Sequence, residues 1–221
     1  MSYSKKLKTP WSTKDVMNQI YDKHLWGGIE FDFYSGEGSH NLKITSPYID
    51  AVRDFLKSQN NSLTVCDLGC GDFNIGKHFV EYTYKYTGID IVESLIERNK
   101  AIFKADNLEF HCLDISKDKL PKADCVILRQ VLQHLSNPEI KNVVNKLTNY
   151  KYIILTEHLP LGDFEPNKDK IASQGIRLKQ NSGVDILASP FNLEIIEEVM
   201  LLNIVLESNR DCIATSIYKC F

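Results

Sequence analysis

A glycine-rich turn is the segment of this sequence with the clearest capacity for chemistry. Residues 65–76 read Val-Cys-Asp-Leu-Gly-Cys-Gly-Asp-Phe-Asn-Ile-Gly, so an apolar run leads directly into the glycines. A strand, a glycine turn and a helix in this order form a common nucleotide-binding layout, because backbone N–H groups can approach a ligand where side chains are missing. Several ligand classes use this layout, and the neighbouring residues have to distinguish between them.

Two phosphate-bearing ligands fit the turn incompletely. The dinucleotide fingerprint G-x-G-x-x-G requires a glycine where Asn74 stands. The phosphate loop G-x-x-x-x-G-K-[ST] matches residues 71–77, but His78 replaces the hydroxyl residue that would bind magnesium. Asp67 and Asp72 also place negative charge beside any polyphosphate, which opposes its binding. A nucleotide hydrolase of the phosphate-loop type is therefore kept as an alternative.

A sulfonium cofactor reverses this electrostatic argument. S-adenosylmethionine carries positive charge on its sulfur and its ammonium group and has no phosphate, so nearby carboxylates favour it. The segment resembles motif I of the class I S-adenosylmethionine-dependent methyltransferases, D-x-G-x-G-x-G, although Phe73 stands at the third glycine. The resemblance implies that the cofactor contacts Asp67, Gly69, Cys70, Gly71 and Asn74.

Two further carboxylates close later apolar runs. Asp90 lies about 20 positions beyond the glycine turn, where an acidic residue can accept both hydroxyls of a ribose. Asp114 and Ile115 follow the third run and resemble the family's carboxylate and apolar pair around the adenine. The cofactor site predicted from this resemblance also includes Ile91 and Arg129.

A hydroxyl acceptor needs a base to remove its proton, and histidine suits this role because its unperturbed pKa lies near neutrality. His134 follows the fourth apolar run and His158 follows the fifth, at the strand ends where ligands bind in such sheets. His134 also fits a simple packing role in a helix. We expect Glu157 to orient the imidazole of His158 or to bind a substrate hydroxyl. The predicted substrate contacts are Tyr34, Arg177 and Asn181. No cluster of metal-ligating residues is evident, so the prediction is metal-independent catalysis.

The alternation of apolar runs and helical segments predicts an α/β fold. Predicted strands cover residues 63–68, 86–91, 108–113, 123–128 and 152–156, and predicted helices cover 75–83, 93–104 and 138–147. Two β-capable runs near the end, at 193–201 and 212–218, indicate an antiparallel hairpin. The predicted fold is a Rossmann-like seven-stranded, mainly parallel sheet with an antiparallel C-terminal hairpin strand and an N-terminal helical cap.

We predict a single domain, because 221 residues suffice for one substantial core. Its predicted parts are a cap (1–62) with helices at 13–22 and 47–57, a cofactor-binding core (63–158), a substrate loop insertion over the cofactor (159–192) and a terminal hairpin (193–221).

Composition limits the partners. The net charge of −3, from 26 basic and 29 acidic residues, argues against a nucleic-acid surface. No apolar stretch approaches the ~18 residues of a membrane span, and the N-terminus lacks a signal-peptide pattern, so we expect a cytoplasmic protein without a membrane partner.

A narrower resemblance concerns the acceptor. Segments 26–27, 34–39, 70–74, 156–160 and 181–185 resemble bacterial methyltransferases found with surface-polysaccharide biosynthesis. This implies a small-molecule or carbohydrate-type acceptor, methylated on a hydroxyl oxygen, with nitrogen as the second choice. A non-catalytic S-adenosylmethionine-binding protein is the other alternative.

Overall fold

One seven-stranded sheet runs through the computed structural model, which describes residues 11–221. The strand order is β3-β2-β1-β4-β5-β7-β6, with β1 to β5 parallel and β7 antiparallel to both β5 and β6. The predicted fold class is therefore confirmed. The strands are β1 (Thr64–Leu68), β2 (Lys85–Asp90), β3 (Leu108–Cys112), β4 (Cys125–Arg129), β5 (Tyr152–Pro160), β6 (Glu197–Val205) and β7 (Asp211–Lys219).

Five α-helices accompany the sheet within the described residues. They are α1 (Thr13–Asp22), α2 (Glu37–His40), α3 (Leu42–Lys57), α4 (Glu93–Ile102) and α5 (Asn137–Leu147). Helix α3 begins five residues before the predicted start, because the Asn41 side chain accepts the N–H of Lys43 and caps the helix there. Residues 1–10 of the predicted cap lie outside the described part of the chain. No helix in residues 11–221 combines the length and apolar character needed to cross a membrane.

Both faces of the sheet are covered, as a parallel sheet requires. On β4, Val126 and Leu128 face a cluster that includes α5, whereas Cys125 and Ile127 face a cluster that includes α3. This alternation follows the two-residue period of a strand. The chain leaves β1 toward β2 on one side while β4 lies on the other, and such a change of direction opens a crevice at the carboxyl ends of the strands.

The α-helix predicted over 75–83 was wrong. Two 3₁₀ turns, Gly76–His78 and Val80–Tyr82, stand in its place. The side chain of Phe73 lies beside the first of these turns, and a Cβ atom added to Gly76 would collide with its ring. The glycine turn is therefore not followed by a helix dipole that could attract phosphate.

Phe73 itself explains the irregularity in the glycine motif. Its backbone has φ 62°, the left-handed conformation that glycine adopts most easily. Its ring is fully buried and packs edge-on against the rings of Tyr86, Phe103 and Phe110, with centroids 4.8 to 5.6 Å away. The turn therefore keeps the backbone shape of the motif while the side chain fills the core.

The predicted insertion over 159–192 is an irregular but packed segment. Strand β5 continues to Pro160, and β6 begins at Glu197, so the irregular chain covers 161–196. It contains one 3₁₀ turn, Arg177–Gln180, and its buried side chains Val184, Ile186 and Phe191 join the core on the α5 side.

Candidate active site

A cavity of about 300 Å³ lies at the carboxyl ends of β1 to β4. Parallel strands end at one edge of a sheet, which brings together acidic residues that are far apart in the sequence. Nine of the ten predicted cofactor residues line this cavity: Asp67, Gly69, Cys70, Gly71, Asp90, Ile91, Asp114, Ile115 and Arg129. Asn74 does not, because its amide donates to the carbonyl of Ser39 at 2.7 Å and accepts from Lys77 at 2.8 Å.

Asp90 has the environment expected of a ligand for two hydroxyls. Its Oδ2 accepts the N–H of Gly71 at 3.1 Å, and its Oδ1 accepts the N–H of Val92 at 3.0 Å. A carboxylate offers about four acceptor positions, so one further position remains on each oxygen. Burial raises the pKa of Asp90, and hydrogen bonds from the backbone N–H groups of Val92, Gly71 and Ile91 oppose that rise.

Asp114 is held as an anion at the end of β3. Burial opposes its ionisation, but hydrogen bonds from Lys117 and Ser116 outweigh that effect and lower the pKa. Its Oδ1 accepts both the N–H and the hydroxyl of Ser116, and its Oδ2 accepts the Lys117 ammonium at 2.7 Å. The side chain of Ile115, buried beside it, supplies an apolar surface.

Asp67 and Arg129 bring opposite charges to the α3 side of the cavity. Asp67 accepts the hydroxyl of Tyr86 at 2.8 Å, and burial raises its pKa to about 7. The Arg129 guanidinium lies 4.7 Å above the ring of Tyr48 and donates to the hydroxyl of Ser39. Among the described residues Arg129 forms no ion pair, and its Nε has no hydrogen-bond partner. The guanidinium also donates to the carbonyl of Gly38, and an anionic group on a ligand would compensate the charge of this half-buried cation.

The N-terminal cap forms one wall of the cavity. Residues 35–39 line it together with Met17, Tyr21 and Trp26. Trp26 belongs to one of the segments that carried the narrower resemblance, whereas Met17 and Tyr21 had no sequence signal. Ser35 and Asp72 bind each other reciprocally, with each backbone N–H donating to the other side chain at 2.9 Å. Segment 34–39, with glycines at 36 and 38, was one of the segments that carried the narrower resemblance.

His158 lines the cavity and is paired with a carboxylate. Its Nε2 lies 2.8 Å from Oδ2 of Asp211, which belongs to the neighbouring strand β7. The hydroxyl of Ser208 donates to the same carboxylate and, with His158, lowers the pKa of Asp211. An ionised Asp211 fixes the imidazole hydrogen on Nε2 and leaves Nδ1 as an acceptor.

Glu157 does not orient His158, contrary to the sequence prediction. Neighbouring residues of a strand point to opposite faces, and Glu157 points away from the cavity into the core. Burial raises its pKa to about 8, although the Arg177 guanidinium and the backbone N–H groups of Leu132 and Gln133 oppose that rise. The partner of His158 is Asp211, which lies 53 positions away and had no sequence signal.

His134 also lines the cavity, in the 3₁₀ turn Leu132–His134. Its ring centroid lies 5.2 Å from that of Trp26, and its Nδ1 lies 3.2 Å from the carbonyl oxygen of Ser173. Burial lowers its pKa to about 4, so the imidazole is neutral near pH 7.

The chain is similar to known proteins in sequence and in fold. Residues 66–150, from the glycine turn to the end of α5, match the family model of a methyltransferase domain. Two solved structures share the fold over most of their length: the N-methyltransferase NodS from Bradyrhizobium japonicum with S-adenosylhomocysteine, and magnesium protoporphyrin IX methyltransferase from Synechocystis with bound S-adenosylmethionine. Residues 66–150 are therefore similar to a methyltransferase domain, and the chain shares the fold of these two methyltransferases.

The similarity to these structures is one of fold. NodS has a TM-score of 0.65 at 12% identity, covering 93% of this chain and 99% of its own. The Synechocystis enzyme has a TM-score of 0.59 at 17% identity, covering 96% and 99%. The N-terminal domain of EvdMO1, crystallised with S-adenosylhomocysteine and D-fucose, has a TM-score of 0.57 at 17% identity, covering 78% and 82%.

A curated relative provides the similarity in sequence. The malonyl-[acyl-carrier protein] O-methyltransferase of Acetivibrio thermocellus is 31% identical over 109 residues, which are 48% of this chain and 38% of the relative. The matched part of the chain thus spans well under half the length of that curated protein.

The three predicted substrate residues lie outside the cavity. The Tyr34 ring stacks on His40, and its hydroxyl donates to Glu37 at 2.7 Å. Arg177 is fully buried and donates to backbone carbonyls, whereas Asn181 is an exposed left-handed residue that ends a 3₁₀ turn. No residue of 159–192 lines the cavity that the described chain forms, because this segment packs behind the turn that carries His134.

Proposed function

We propose that this chain transfers the methyl group of S-adenosylmethionine to a hydroxyl oxygen of a small-molecule or carbohydrate-type acceptor. The observation that carries the proposal is the His158–Asp211 pair on the wall of the same cavity that collects Asp67, Asp90 and Asp114. When bound, the cofactor supplies an electrophilic methyl group on a cationic sulfur, and the protein has to position the acceptor and remove its proton.

Different residues of the cavity bind different parts of the cofactor. Asp90 accepts the ribose hydroxyls, and Asp114 accepts the adenine amino group against the apolar side chain of Ile115. Asp67 and Arg129 face the amino-acid end, where the ammonium and the carboxylate each find the opposite charge. The excess of carboxylates over cations in the cavity suits the net positive charge of the cofactor.

His158 acts as the general base. Its Nδ1 accepts the proton of the acceptor hydroxyl as the oxygen bonds to the methyl carbon, and Asp211 stabilises the imidazolium that forms. His134 is a poor candidate for this role, because burial lowers its pKa to about 4.

An aromatic wall supports a carbohydrate-type acceptor. Trp26 and Tyr21 line the cavity with their rings 5.5 Å apart, and aromatic faces pack well against the apolar faces of sugars. The presence of D-fucose in the EvdMO1 crystal and the O-methyltransferase activity of the curated relative support an oxygen acceptor. NodS is an N-methyltransferase, which keeps nitrogen as the second candidate.

Calorimetric titration tests the cofactor assignment. We expect wild-type protein to bind S-adenosylhomocysteine with micromolar affinity and to be indifferent to ATP. Asp90→Asn should weaken this binding roughly 10-fold or more, because one charged acceptor of the ribose is lost. The exposed Asp106→Asn is the matched control. Tight ATP binding that requires Lys77 would support the phosphate-loop alternative instead.

A labelled-methyl assay tests the reaction. Methyl-labelled S-adenosylmethionine is incubated with a panel of nucleotide sugars, glycosides and amino sugars, and products are identified by mass. We expect a methyl ether on a hydroxyl. A product methylated on nitrogen would show that nitrogen, not oxygen, is the acceptor atom. Tight cofactor binding without any methyl transfer would support a non-catalytic binding protein.

A further inference from the structure

Gln133 lines the cavity from the middle of the 3₁₀ turn Leu132–His134, and it is 6% exposed. Its side chain lies between two histidines that also line the cavity. The backbone N–H of His158 is 3.2 Å from Oε1, and Nε2 of His134 is 3.3 Å from the amide Nε2.

The orientation of this amide is determined by a backbone group. The N–H of His158 can only donate, so the atom facing it must be the amide oxygen. The amide nitrogen then faces His134 and can only donate, which makes Nε2 of His134 an acceptor. The hydrogen of His134 is therefore on Nδ1, where the carbonyl of Ser173 accepts it at 3.2 Å. Each of these three hydrogen bonds therefore joins one donor to one acceptor.

One hydrogen remains unused. The Gln133 amide nitrogen carries two hydrogens, and His134 takes one; no second acceptor is present among the described residues. A buried N–H without an acceptor costs free energy, which a ligand oxygen in the cavity would recover. The backbone N–H of His158 bonds the same amide, and the His158 side chain, which Asp211 leaves with Nδ1 as its acceptor, lines the same cavity.

The turn that holds Gln133 is fixed from behind by two cations of the segment 161–196. Arg177 donates to the carbonyls of Gln133 at 3.2 Å and Leu135 at 2.9 Å, and Lys170 donates to the carbonyl of His134 at 3.1 Å. These bonds hold the backbone of the turn, so the side-chain donor has a defined position.

We propose that Gln133 binds the acceptor by donating its free N–H to an oxygen next to the hydroxyl that is methylated. A donor and a proton acceptor on the wall of one cavity suit an acceptor with two vicinal oxygens, as in a 1,2-diol or in a hydroxyl beside a ring oxygen. His134 is a positioning residue, because it accepts one amide hydrogen while the His158 N–H sets the orientation of the amide. This inference rests on the proposed function, because it takes His158 as the base.

The amide orientation is tested without an acceptor. ¹⁵N-histidine-labelled protein in complex with S-adenosylhomocysteine is studied by long-range ¹H–¹⁵N NMR, with His134→Gln used for assignment. We expect His134 to carry its hydrogen on Nδ1 and to stay neutral between pH 6 and 8. In Gln133→Glu the partner becomes an acceptor, so His134 should gain a hydrogen on Nε2. A wild-type His134 with its hydrogen on Nε2 overturns the proposal.

Acceptor recognition is tested with the best acceptor of the panel and its deoxy analogue, which lacks the neighbouring oxygen. We expect wild-type protein to prefer the parent compound at least about 10-fold in kcat/KM, and Gln133→Met to reduce this preference to about 2-fold. The affinity for S-adenosylhomocysteine should stay unchanged, and the exposed Gln180→Met serves as control. A full preference in Gln133→Met overturns the proposal. If wild-type protein methylates nothing, the proposed function fails, and the NMR result still decides the amide orientation.

Discussion

Atom Nε2 of His158 lies 2.8 Å from Oδ2 of Asp211, so an imidazole on β5 and a carboxylate on β7 form a hydrogen-bonded pair at the cavity. Strand β7 is antiparallel to β5, and this pairing sets Pro160 opposite Asp211, two residues beyond His158. The C-terminal hairpin therefore contributes to the site as well as completing the sheet.

Substitution of this carboxylate should impair the chemistry and leave cofactor binding intact. Asp211→Asn removes the charge that stabilises the imidazolium of His158. We expect kcat to fall roughly 10- to 100-fold with an unchanged affinity for S-adenosylhomocysteine. The exposed Asp163→Asn is the control in the same methyl-transfer assay. A wild-type kcat in Asp211→Asn would remove Asp211 from the mechanism.

Arg129 should recognise the carboxylate of the cofactor. Methylthioadenosine lacks the amino-acid end of S-adenosylhomocysteine, so the two ligands isolate this contact. We expect Arg129→Met to weaken S-adenosylhomocysteine at least about 10-fold and to change methylthioadenosine less than about 2-fold, as judged by calorimetry. Lys77→Met, an exposed lysine tied to Asn74, should affect neither ligand. Equal losses for both ligands would show that Arg129 acts on the structure of the cavity.

The left-handed backbone at Phe73 should reverse the usual order of alanine and glycine. Both Phe73→Ala and Phe73→Gly lose a buried ring, which costs about 3 to 5 kcal/mol of the free energy of unfolding. Glycine adopts φ 62° without strain, so we expect Phe73→Gly to be about 1 kcal/mol more stable than Phe73→Ala.

Urea denaturation measures this difference. Ile49, which lies in the middle of α3, provides the control pair, because there glycine should be about 1 kcal/mol less stable than alanine. The same order at both positions would contradict the role assigned to the Phe73 backbone.

Glu157 should make stability fall as pH rises. Its pKa is raised by burial from 4.5 in its ordinary state to about 8 in the folded protein. Between these values the folded state keeps a proton that the unfolded state has released, so the free energy of unfolding decreases with pH. The effect reaches at most about 1.4 kcal/mol per pH unit for one proton.

Glu157→Gln, which mimics the protonated acid, isolates this contribution. We expect the difference in stability between Glu157→Gln and wild type to shift in favour of the variant from pH 5.5 to pH 8, as measured by urea denaturation. A difference that is constant across this range would mean that Glu157 is ionised in the folded protein at both pH values.

The sequence by itself determined the sheet and the residues that we propose bind the cofactor. Asp67, Asp90 and Asp114 each close an apolar run, and parallel strands place such ends at one edge, so their order and spacing, together with the family resemblance, predicted that they line one cavity. The strand pattern also predicted the seven-stranded sheet, because both hydrophobic period and turn residues are local signals.

Only the tertiary structure decided the acceptor half. Glu157 was predicted to orient His158 from its position in the sequence, but strand alternation turns the two side chains to opposite faces, and Asp211 takes that role through strand pairing. Gln133 had no sequence signal, because the orientation of its amide depends on the backbone N–H of His158, which is 25 positions away. Contacts across strands and loops depend on register and packing, which no local pattern encodes.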